Sequence, residues 1–203
     1  MLLIVDSTNR AHEHRALRTM FEARKRVFID LLKWDLPALA DRFELDHFDD
    51  EHATYLIVTD GEANHLASAR LLLTTRPALL DSLFAGLVEG DIPQGPDVLE
   101  ITRFCLSPGI GAGRRRAARD ALLVGLADFA LANGIHTYTG VVELPWFRQI
   151  ANFGWTCRAL GEPMLHRGTA LAALRIDVDR DTPARLAAAG IVSDAARGAA
   201  RAA

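Results

Sequence analysis

The run Leu99-Glu100-Ile101-Thr102-Arg103-Phe104-Cys105 is followed by the turn-like run Ser107-Pro108-Gly109-Ile110-Gly111-Ala112-Gly113. The apolar residues of the first run predict an interior β-strand, and the proline and glycines predict a tight turn into a helix. Glu100 and Arg103 are three residues apart, so a flat strand would place them on opposite faces, whereas a β-bulge would turn one of them toward the other. Because a buried charge is costly unless it is used, we expect both residues to be functional; an edge strand with two solvated charges is the alternative.

The composition is that of a folded protein without a general affinity for polyanions. Of the 203 residues, 50% are apolar and 24% are charged, and the net charge is −3. This balance argues against nucleic-acid binding, for which a basic excess would be expected. The two cysteines, Cys105 and Cys157, are far apart and form no CxxC motif, which favours reduced thiols over a disulfide framework.

No segment of the sequence has the properties of a membrane span or of a signal peptide. The apolar start, residues 1–6, is too short for a signal sequence and lacks a basic region before it. No apolar run approaches the roughly 20 residues that cross a bilayer. We therefore predict a cytoplasmic protein with no membrane partner.

Hydrophobic spacing and turn residues predict a single domain over residues 1–203, in which strands alternate with helices and a long loop follows the first helix. An Asp60-Gly61 turn predicts an antiparallel hairpin between the second and third strands. The Ala/Arg-rich tail, residues 194–203, is expected to fray. The predicted strands are 2–6, 53–59, 66–73, 99–105, 135–142, 155–160 and 169–178, and the predicted helices are 11–32, 77–87, 111–133 and 145–153.

A long irregular connection over residues 32–50 ends in the acidic run Glu44-Leu45-Asp46-His47-Phe48-Asp49-Asp50-Glu51. Loops of this length inside a domain are usually functional or disordered, and the aromatic residues in this one argue against disorder. The carboxylates could be solvated or could bind a hard cation, although their spacing is not that of an EF-hand. Alternatively, they could form an electrostatic socket for a cationic small molecule, with aromatic side chains as its walls.

The residues in these elements resemble the signature of the acyl-homoserine-lactone synthases, the LuxI-type autoinducer synthases. The match covers the first half of the chain residue by residue and extends more loosely to about residue 178. It implies an α/β fold, an α-β-α sandwich like that of the GNAT N-acyltransferases, with a central mixed, twisted sheet flanked by helices. The matching motifs are Arg24-x-x-x-Phe28, Trp34, Glu44-x-Asp46-x-x-Asp49, Arg70, Phe84 and Glu100-x-x-Arg103-Phe104.

The resemblance implies an enzyme of quorum-sensing signal production. Such an enzyme transfers an acyl group from acyl carrier protein, or from acyl-CoA, to the amine of S-adenosylmethionine, and then closes the lactone and releases methylthioadenosine. S-adenosylmethionine is a substrate here, so neither a cofactor nor a metal is implied. The alternatives are a GNAT-type N-acyltransferase that uses acyl-CoA on another amine, a lactone-sensing regulator, for which no DNA-binding segment is evident, and a relic without activity.

By the same resemblance, Glu100 is the general base that deprotonates the amine, directly or through a water. Arg103 would hold the substrate carboxylate or orient Glu100, and Phe104 would line the substrate cleft. Glu44 and Arg70 would lock the acidic loop by pairing with their neighbours. The residues expected to shape the S-adenosylmethionine pocket are Arg24, Phe28, Trp34, Asp46 and Asp49. Cys105 is expected to be a packing residue.

Two further surfaces are implied for the acyl donor. An acidic carrier protein needs a basic patch, for which Arg114, Arg115 and Arg116 at the start of a helix are the candidates; each is nearly as well explained as a solvated residue. Gly140 stands where better-known members often carry a hydroxyl residue and is expected to leave room for the acyl chain, whereas Trp146 would shorten the pocket, so chain length stays open. The residues expected around the chain are Phe84, Thr102, Gly140, Val142, Trp146, Phe147 and Ile150.

Overall fold

The structure is a computed structural model, and it describes residues 1–193. Within these residues the strands are β1 (Leu2–Val5), β2 (Ala38–Leu39), β3 (Phe43–Glu44), β4 (Thr54–Thr59), β5 (His65–Leu73), β6 (Val98–Leu106), β7 (Thr137–Glu143), β8 (Thr156–Ala159), β9 (Met164–His166) and β10 (Thr169–Asp177).

The helices include one rare element, a π-helix over Lys25–Leu31 that continues directly from the first α-helix. A short 3₁₀ turn covers Ala85–Leu87. None of the helices in the described chain is long and apolar enough to cross a membrane. The α-helices are α1 (His14–Arg24), α2 (Leu79–Leu83), α3 (Ala112–Ala132), α4 (Leu144–Ile150) and α5 (Thr182–Ala188).

Most of the predicted elements are confirmed, including the hairpin of β4 and β5 and the long helix α3. The predicted helix over residues 11–32 begins later and changes from α to π geometry at Lys25. Four elements were not predicted from the sequence, namely β9, α5 and the two-residue strands β2 and β3. The predicted fraying of residues 194–203 lies outside the described residues.

The sheet is mixed and flanked by helices, which confirms the predicted fold class. Its hydrogen-bonded order is β1-β4-β5-β6-β7-β10-β8, and β9 also pairs with β10. The β1–β4, β4–β5 and β7–β10 pairs are antiparallel, whereas β6 and β7 are parallel. This parallel pairing covers only Val98–Glu100 against Thr137–Thr139, although β6 continues to Leu106 and β7 to Glu143.

By internal contacts, the described chain divides into two compact units. Unit 1 contains Met1–Leu71 and Arg103–Gly125, and unit 2 contains Leu72–Thr102 and Leu126–Val192. The single domain expected from the sequence stays a prediction.

The core of unit 1 is built on one face of α1. Ala16, Leu17, Met20 and Ala23 recur at helical spacing and are all buried. The π-helix adds Val27 and Phe28, which pack with Ala23 against the fully buried Cys105. Burial in these apolar surroundings raises the pKa of the Cys105 thiol to about 12, which keeps the thiol protonated.

The core of unit 2 forms where α2 packs on β7 and β10. Leu80, Leu87 and Ala173 are buried at its centre. The apolar residues packed around this centre, which together with it we call the unit 2 cluster, are Phe84, Val88, Ile92, Val141, Leu160 and Leu171.

Candidate active site

Strand β6 is not flat at the motif that the sequence analysis singled out. Arg103 has φ of +50°, a left-handed conformation that costs a non-glycine residue about 1–2 kcal/mol. This conformation interrupts the alternation of side chains along the strand. Strand β6 is therefore irregular at Arg103 itself, and a site shared by Glu100 and Arg103 stays a prediction.

In unit 1, three arginines and three carboxylates form a closed ring of alternating charge. Each carboxylate bridges two arginines, and each arginine contacts two carboxylates. We call this arrangement the charge ring, and its members, in the order in which they contact one another, are Arg24, Glu44, Arg103, Asp46, Arg70 and Asp49.

The charge ring is closed by short, mostly bidentate hydrogen bonds. Arg24 donates through Nε to Glu44 at 2.5 Å and through both terminal nitrogens to Asp49 at 2.8 and 2.9 Å. Arg70 donates to both oxygens of Asp46 at 2.6 and 3.1 Å and lies 2.9 Å from Asp49. Arg103 donates to Glu44 at 3.0 and 3.1 Å and to Asp46 at 2.7 Å. Bidentate pairs of this kind fix geometry as well as energy.

Backbone and phenol donors complete the hydrogen bonding of the charge ring. The amide of Asp46 donates to Asp49 at 2.9 Å, and the amide of Phe48 donates to Asp46 at 2.9 Å. The buried Tyr55 donates its hydroxyl to Asp49 at 3.0 Å. Each carboxylate oxygen of the charge ring therefore accepts at least one hydrogen bond, as buried charges require.

The pKa values in the charge ring are set by burial and by the opposite charges. Burial alone would raise the pKa of the Asp49 carboxyl, but the hydrogen bonds and charge of Arg24, with the charge of Arg70, hold it well below its usual range. Burial likewise opposes ionisation of Asp46, whose pKa is kept low by Arg70 and Arg103. The pKa of Tyr55 is raised by burial and by the neighbouring Asp49 charge, so it stays a donor.

An aromatic ring lies beside each arginine of the charge ring. Arg24 lies 5.0 Å from the centroid of Phe21, Arg70 lies 5.7 Å from that of Phe48, and Arg103 lies 5.7 Å from that of Phe28. These distances suit cation–π attraction.

Trp34 extends this aromatic layer toward solvent. Its ring stacks on Phe28 with centroids 4.9 Å apart and planes 16° from parallel, and 37% of the residue is exposed. Trp34 follows the π-helix, and its backbone N–H donates to the carbonyl of Phe28 within that helix. This hydrogen bond holds the two residues together.

Exposure within the charge ring is uneven. The side chains of Arg24, Glu44, Asp49 and Arg70 are at most 1% exposed, whereas Asp46 is 10% and Arg103 is 7% exposed. The Asp46–Arg103 pair is thus the edge of the charge ring that solvent reaches.

The acidic loop therefore differs from the open socket that the sequence analysis considered. The carboxylates of Glu44, Asp46 and Asp49 are neutralised by arginines and do not form an unpaired acidic surface. Arg70 is fully buried and pairs with Asp46 and Asp49 of the loop.

In unit 2, Glu100 is fully buried at the end of the β6–β7 pairing. Its Oε2 accepts a hydrogen bond from the Leu80 amide at 3.0 Å. Leu80 belongs to the first turn of α2, so the start of this helix fixes one oxygen of the carboxylate.

The residues expected around the acyl chain lie on several elements of unit 2. Phe84 belongs to the unit 2 cluster. The residue of β7 in this cluster is Val141, whereas the sequence predicted its neighbour Val142. Trp146 and Ile150 lie on α4, where Trp146 packs edge-to-face on Phe153 at 5.8 Å. Thr102 is buried on β6, and Phe147 is half-buried on α4.

The expectation that Gly140 leaves room for an acyl chain was wrong. A Cβ at this position would lie 2.9 Å from the backbone oxygen of Ile101 and 3.9 Å from Leu174. The absence of a side chain at Gly140 therefore allows the backbones of β6 and β7 to lie close together just beyond their last paired residues.

The predicted basic residues lie on the exposed first turns of α3. Arg114 lies 3.8 Å from Asp60 and Arg116 lies 3.9 Å from Asp120, and both side chains are more than half exposed. Arg115 is also exposed and donates to the carbonyls of Leu106 and Ser107 at 3.3 Å.

Two contributors to the charge ring, Tyr55 and Phe21, were not predicted from the sequence, where they were read only as apolar members of a strand and a helix. Phe48 was predicted as an aromatic wall of a socket for a cation, and the cation beside it is Arg70. The spacing of Tyr55 from Asp49 gives no signal, because the contact depends on how the loop folds back onto β4.

A second buried polar group in unit 1 links β5 to the end of β6. His65 contacts the hydroxyls of Ser107 and Ser68, each at 2.8 Å. Because the Ser107 hydroxyl donates to the His65 carbonyl at 2.7 Å, it must accept from Nδ1, which places the imidazole proton there. Burial, with a smaller effect of Arg26 and Arg24, lowers the pKa of His65 to about 3, so the ring is neutral.

Comparison with known proteins shows the family to which this chain belongs. The family model described as autoinducer synthase matches residues 8–186. An acyl-homoserine-lactone synthase of Ralstonia nicotianae is 32% identical over 174 residues, which cover 82% of this chain and 84% of that protein.

Two solved structures give the corresponding comparison of folds. BjaI, a CoA-dependent acyl-homoserine lactone synthase solved with SAM and isopentyl-CoA, matches with a TM-score of 0.84 and 26% identity, covering 95% of this chain and 90% of that one. An acyl-CoA N-acyltransferase from Pseudomonas aeruginosa matches with a TM-score of 0.59 and 15% identity, covering 86% and 98%. The second comparison concerns the fold alone.

Proposed function

The chain belongs to the autoinducer synthase family and is an acyl-homoserine-lactone synthase, and we propose how its residues carry out that reaction. The amine of S-adenosylmethionine attacks the thioester carbonyl of the acyl donor, the C–S bond of the thioester breaks, and the donor's thiolate leaves as the amide forms. The substrate carboxylate then displaces methylthioadenosine from the sulfonium carbon and closes the lactone.

Glu100 is the general base for the first step. The attacking amine must lose a proton before or as the amide forms, and a positioned carboxylate supplies this function. The observation that carries the proposal is the hydrogen bond from the Leu80 amide to Oε2, which holds a fully buried carboxylate in one orientation. The second step needs no further base, because a carboxylate displaces a neutral thioether and positioning provides most of the rate.

The amino-acid end of S-adenosylmethionine binds at the Asp46–Arg103 edge of the charge ring. At this edge the Arg103 guanidinium and the Asp46 carboxylate lie side by side. They match the carboxylate and the ammonium group that S-adenosylmethionine carries on one carbon. Glu100 is three residues before Arg103, so the chain itself limits their Cα atoms to about 11 Å apart.

Aromatic residues hold the rest of this substrate. The exposed face of Trp34, stacked on Phe28, suits the sulfonium through cation–π attraction. Phe104, half-buried next to Arg103, lines the cleft. Arg24, Glu44, Asp49 and Arg70 keep the edge in place and are themselves too buried to meet the substrate.

The acyl chain lies against apolar residues of unit 2. Phe84 in the unit 2 cluster and Trp146, Phe147 and Ile150 on α4 are the candidate walls. Thr102, Gly140 and Val142 belong to the strands that border them.

The donor is an acyl thioester carried either by CoA or by acyl carrier protein. BjaI, solved with isopentyl-CoA, favours CoA by analogy. The exposed Arg114, Arg115 and Arg116 favour an acidic carrier protein, since a basic patch steers such a partner. A cytoplasmic location follows from either donor.

The donor proposal is tested with Arg114→Glu and, as a control, Arg18→Glu at an exposed position on α1. If the carrier protein docks on α3, Arg114→Glu lowers kcat/KM for acyl carrier protein about tenfold, and added salt weakens the wild type in the same direction. KM for S-adenosylmethionine stays unchanged. Equal losses in both variants would remove the docking role.

The base is tested with Glu100→Gln, using Glu89→Gln, an exposed residue of unit 2, as the control. Loss of a general base typically costs 10²–10⁴-fold, so we expect a fall in kcat of that order with S-adenosylmethionine binding retained in calorimetry. Full activity of Glu100→Gln would contradict the assignment.

A further inference from the structure

The first turn of α2 is arranged so that one backbone amide is directed at Glu100. In this helix, Ala78 is the N-cap, and Leu80 and Asp81 are the second and third helical residues. Amides at these positions have no partner within a helix, so they are available to other groups. The Leu80 amide takes the Glu100 carboxylate as its acceptor, at 3.0 Å.

Asp81 determines how this turn is closed. Its Oδ1 accepts a hydrogen bond from the Ala78 amide at 2.7 Å and one from the Ser82 hydroxyl at 3.2 Å. Its Oδ2 accepts from the side-chain amide of Gln94 at 3.3 Å, which ties the turn to the segment before β6. The Asp81 side chain thus satisfies the N-cap amide, while the Leu80 amide is left for Glu100.

A helix of five residues cannot maintain its own first turn. Helices this short are unstable in isolation, because the entropy of nucleation exceeds the few hydrogen bonds gained. Leu80 and Phe84 anchor the apolar side of α2 in the unit 2 cluster, but they do not fix the direction of the amides. That direction depends on the capping contacts of Asp81.

We propose that Asp81 is a positioning residue for the reaction, which acts on Glu100 through the Leu80 amide. Asp81 fixes the direction of the Leu80 amide, and this amide in turn fixes Oε2 of Glu100. The Glu100 carboxylate is thereby kept in the orientation that proton transfer needs. The inference rests on the proposed role of Glu100 as the base. Misplacement of a catalytic group by about 1 Å can cost up to about 100-fold, so the effect belongs in kcat.

The experiment compares Asp81→Ala, Asp81→Asn and the control Asp91→Ala, which removes an exposed carboxylate from the same unit. We expect Asp81→Ala to lower kcat at least tenfold while KM for S-adenosylmethionine stays within twofold. Asp81→Asn, which retains an oxygen for the Ala78 amide, and Asp91→Ala should both stay within about threefold of the wild type. An Asn variant as slow as the Ala variant, or an unchanged kcat in Asp81→Ala, would overturn the inference.

A double variant separates positioning from general damage. If Asp81 acts only through Glu100, then Asp81→Ala slows the Glu100→Gln enzyme by less than twofold; a further tenfold loss would overturn the inference. Should Asp81→Ala not fold, Gln94→Leu at an exposed position loosens the same carboxylate, and its kcat should fall by two- to fivefold with KM unchanged. An unchanged kcat in a folded Gln94→Leu would then count against it.

The two proposals fail in different ways. Full activity of Glu100→Gln refutes the proposed base, and with it the positioning role. A slow Glu100→Gln alongside a fully active Asp81→Ala refutes the positioning role alone.

Discussion

Glu44→Gln tests whether the charge ring is held together by charge balance. Glu44 is fully buried, and its two oxygens accept from Arg24 and Arg103. Gln keeps the shape of the side chain, but it removes one negative charge from three cations and three anions and turns an N–H donor toward a guanidinium.

The size of the effect follows from this burial. Breaking a buried ion pair by removing one partner costs about 3–5 kcal/mol, because the remaining charge is left uncompensated. That is a large part of the about 5–15 kcal/mol that stabilises a typical domain. At about 2–4 °C per kcal/mol for a chain of this size, the midpoint of thermal unfolding should fall by about 10 °C.

Urea unfolding followed by circular dichroism measures the loss, and Glu22→Gln is the matched control. Glu22 also pairs with an arginine, Arg42, at 2.6 Å, but the Arg42 side chain is 59% exposed. Pairs of this kind contribute about 1 kcal/mol or less. Equal free energies of unfolding for the two variants would refute the reasoning that burial makes the charge ring strong.

Two further predictions concern a buried histidine and a close backbone approach. His65 has a pKa of about 3 in the folded protein against about 6.5 unfolded, so the unfolded state binds more protons below pH 6.5, and stability falls as the pH falls. Urea unfolding should show a loss of about 2 kcal/mol between pH 7 and pH 5 that a His65→Gln variant lacks; equal slopes would contradict this. Gly140→Ala should lower the free energy of unfolding by about 1–3 kcal/mol, because its Cβ would lie 2.9 Å from the Ile101 oxygen. Gly61→Ala, where nothing lies within 4 Å, should change little, and an equally small effect at Gly140 would show that the strands adjust freely.

The elements that the sequence predicts well are those with local signals. The alternation in β4 and β5 and the Asp60-Gly61 turn determine a hairpin without help from the rest of the chain. The short helix α5 had such a signal too, a threonine followed by Pro183 at its start, and it was overlooked.

The arrangement of the site depends on contacts that no local pattern encodes. The left-handed conformation of Arg103 runs against the preference of the residue, and the ion pairs with Glu44 and Asp46 that stabilise it come from distant segments. The resemblance named the members of the charge ring, but not that each carboxylate is shared between two arginines.

Gly140 shows a different error, in which the absence of a side chain was given the wrong reason. From sequence, a glycine beside a proposed pocket suggests open space. The structure fills that space with the Ile101 carbonyl, because β6 and β7 stop pairing at Glu100 and the backbone of one strand approaches the other.

The products of the reaction show whether this chain makes an acyl-homoserine lactone. Purified protein is incubated with S-adenosylmethionine and a panel of acyl-CoA and acyl carrier protein donors, and the mixture is analysed by mass spectrometry. We expect methylthioadenosine and an acyl-homoserine lactone in equal amounts with at least one donor, and initial rates of both products that are about 10²–10⁴-fold lower with Glu100→Gln. Methylthioadenosine without lactone, or no lactone with any donor, would contradict the account.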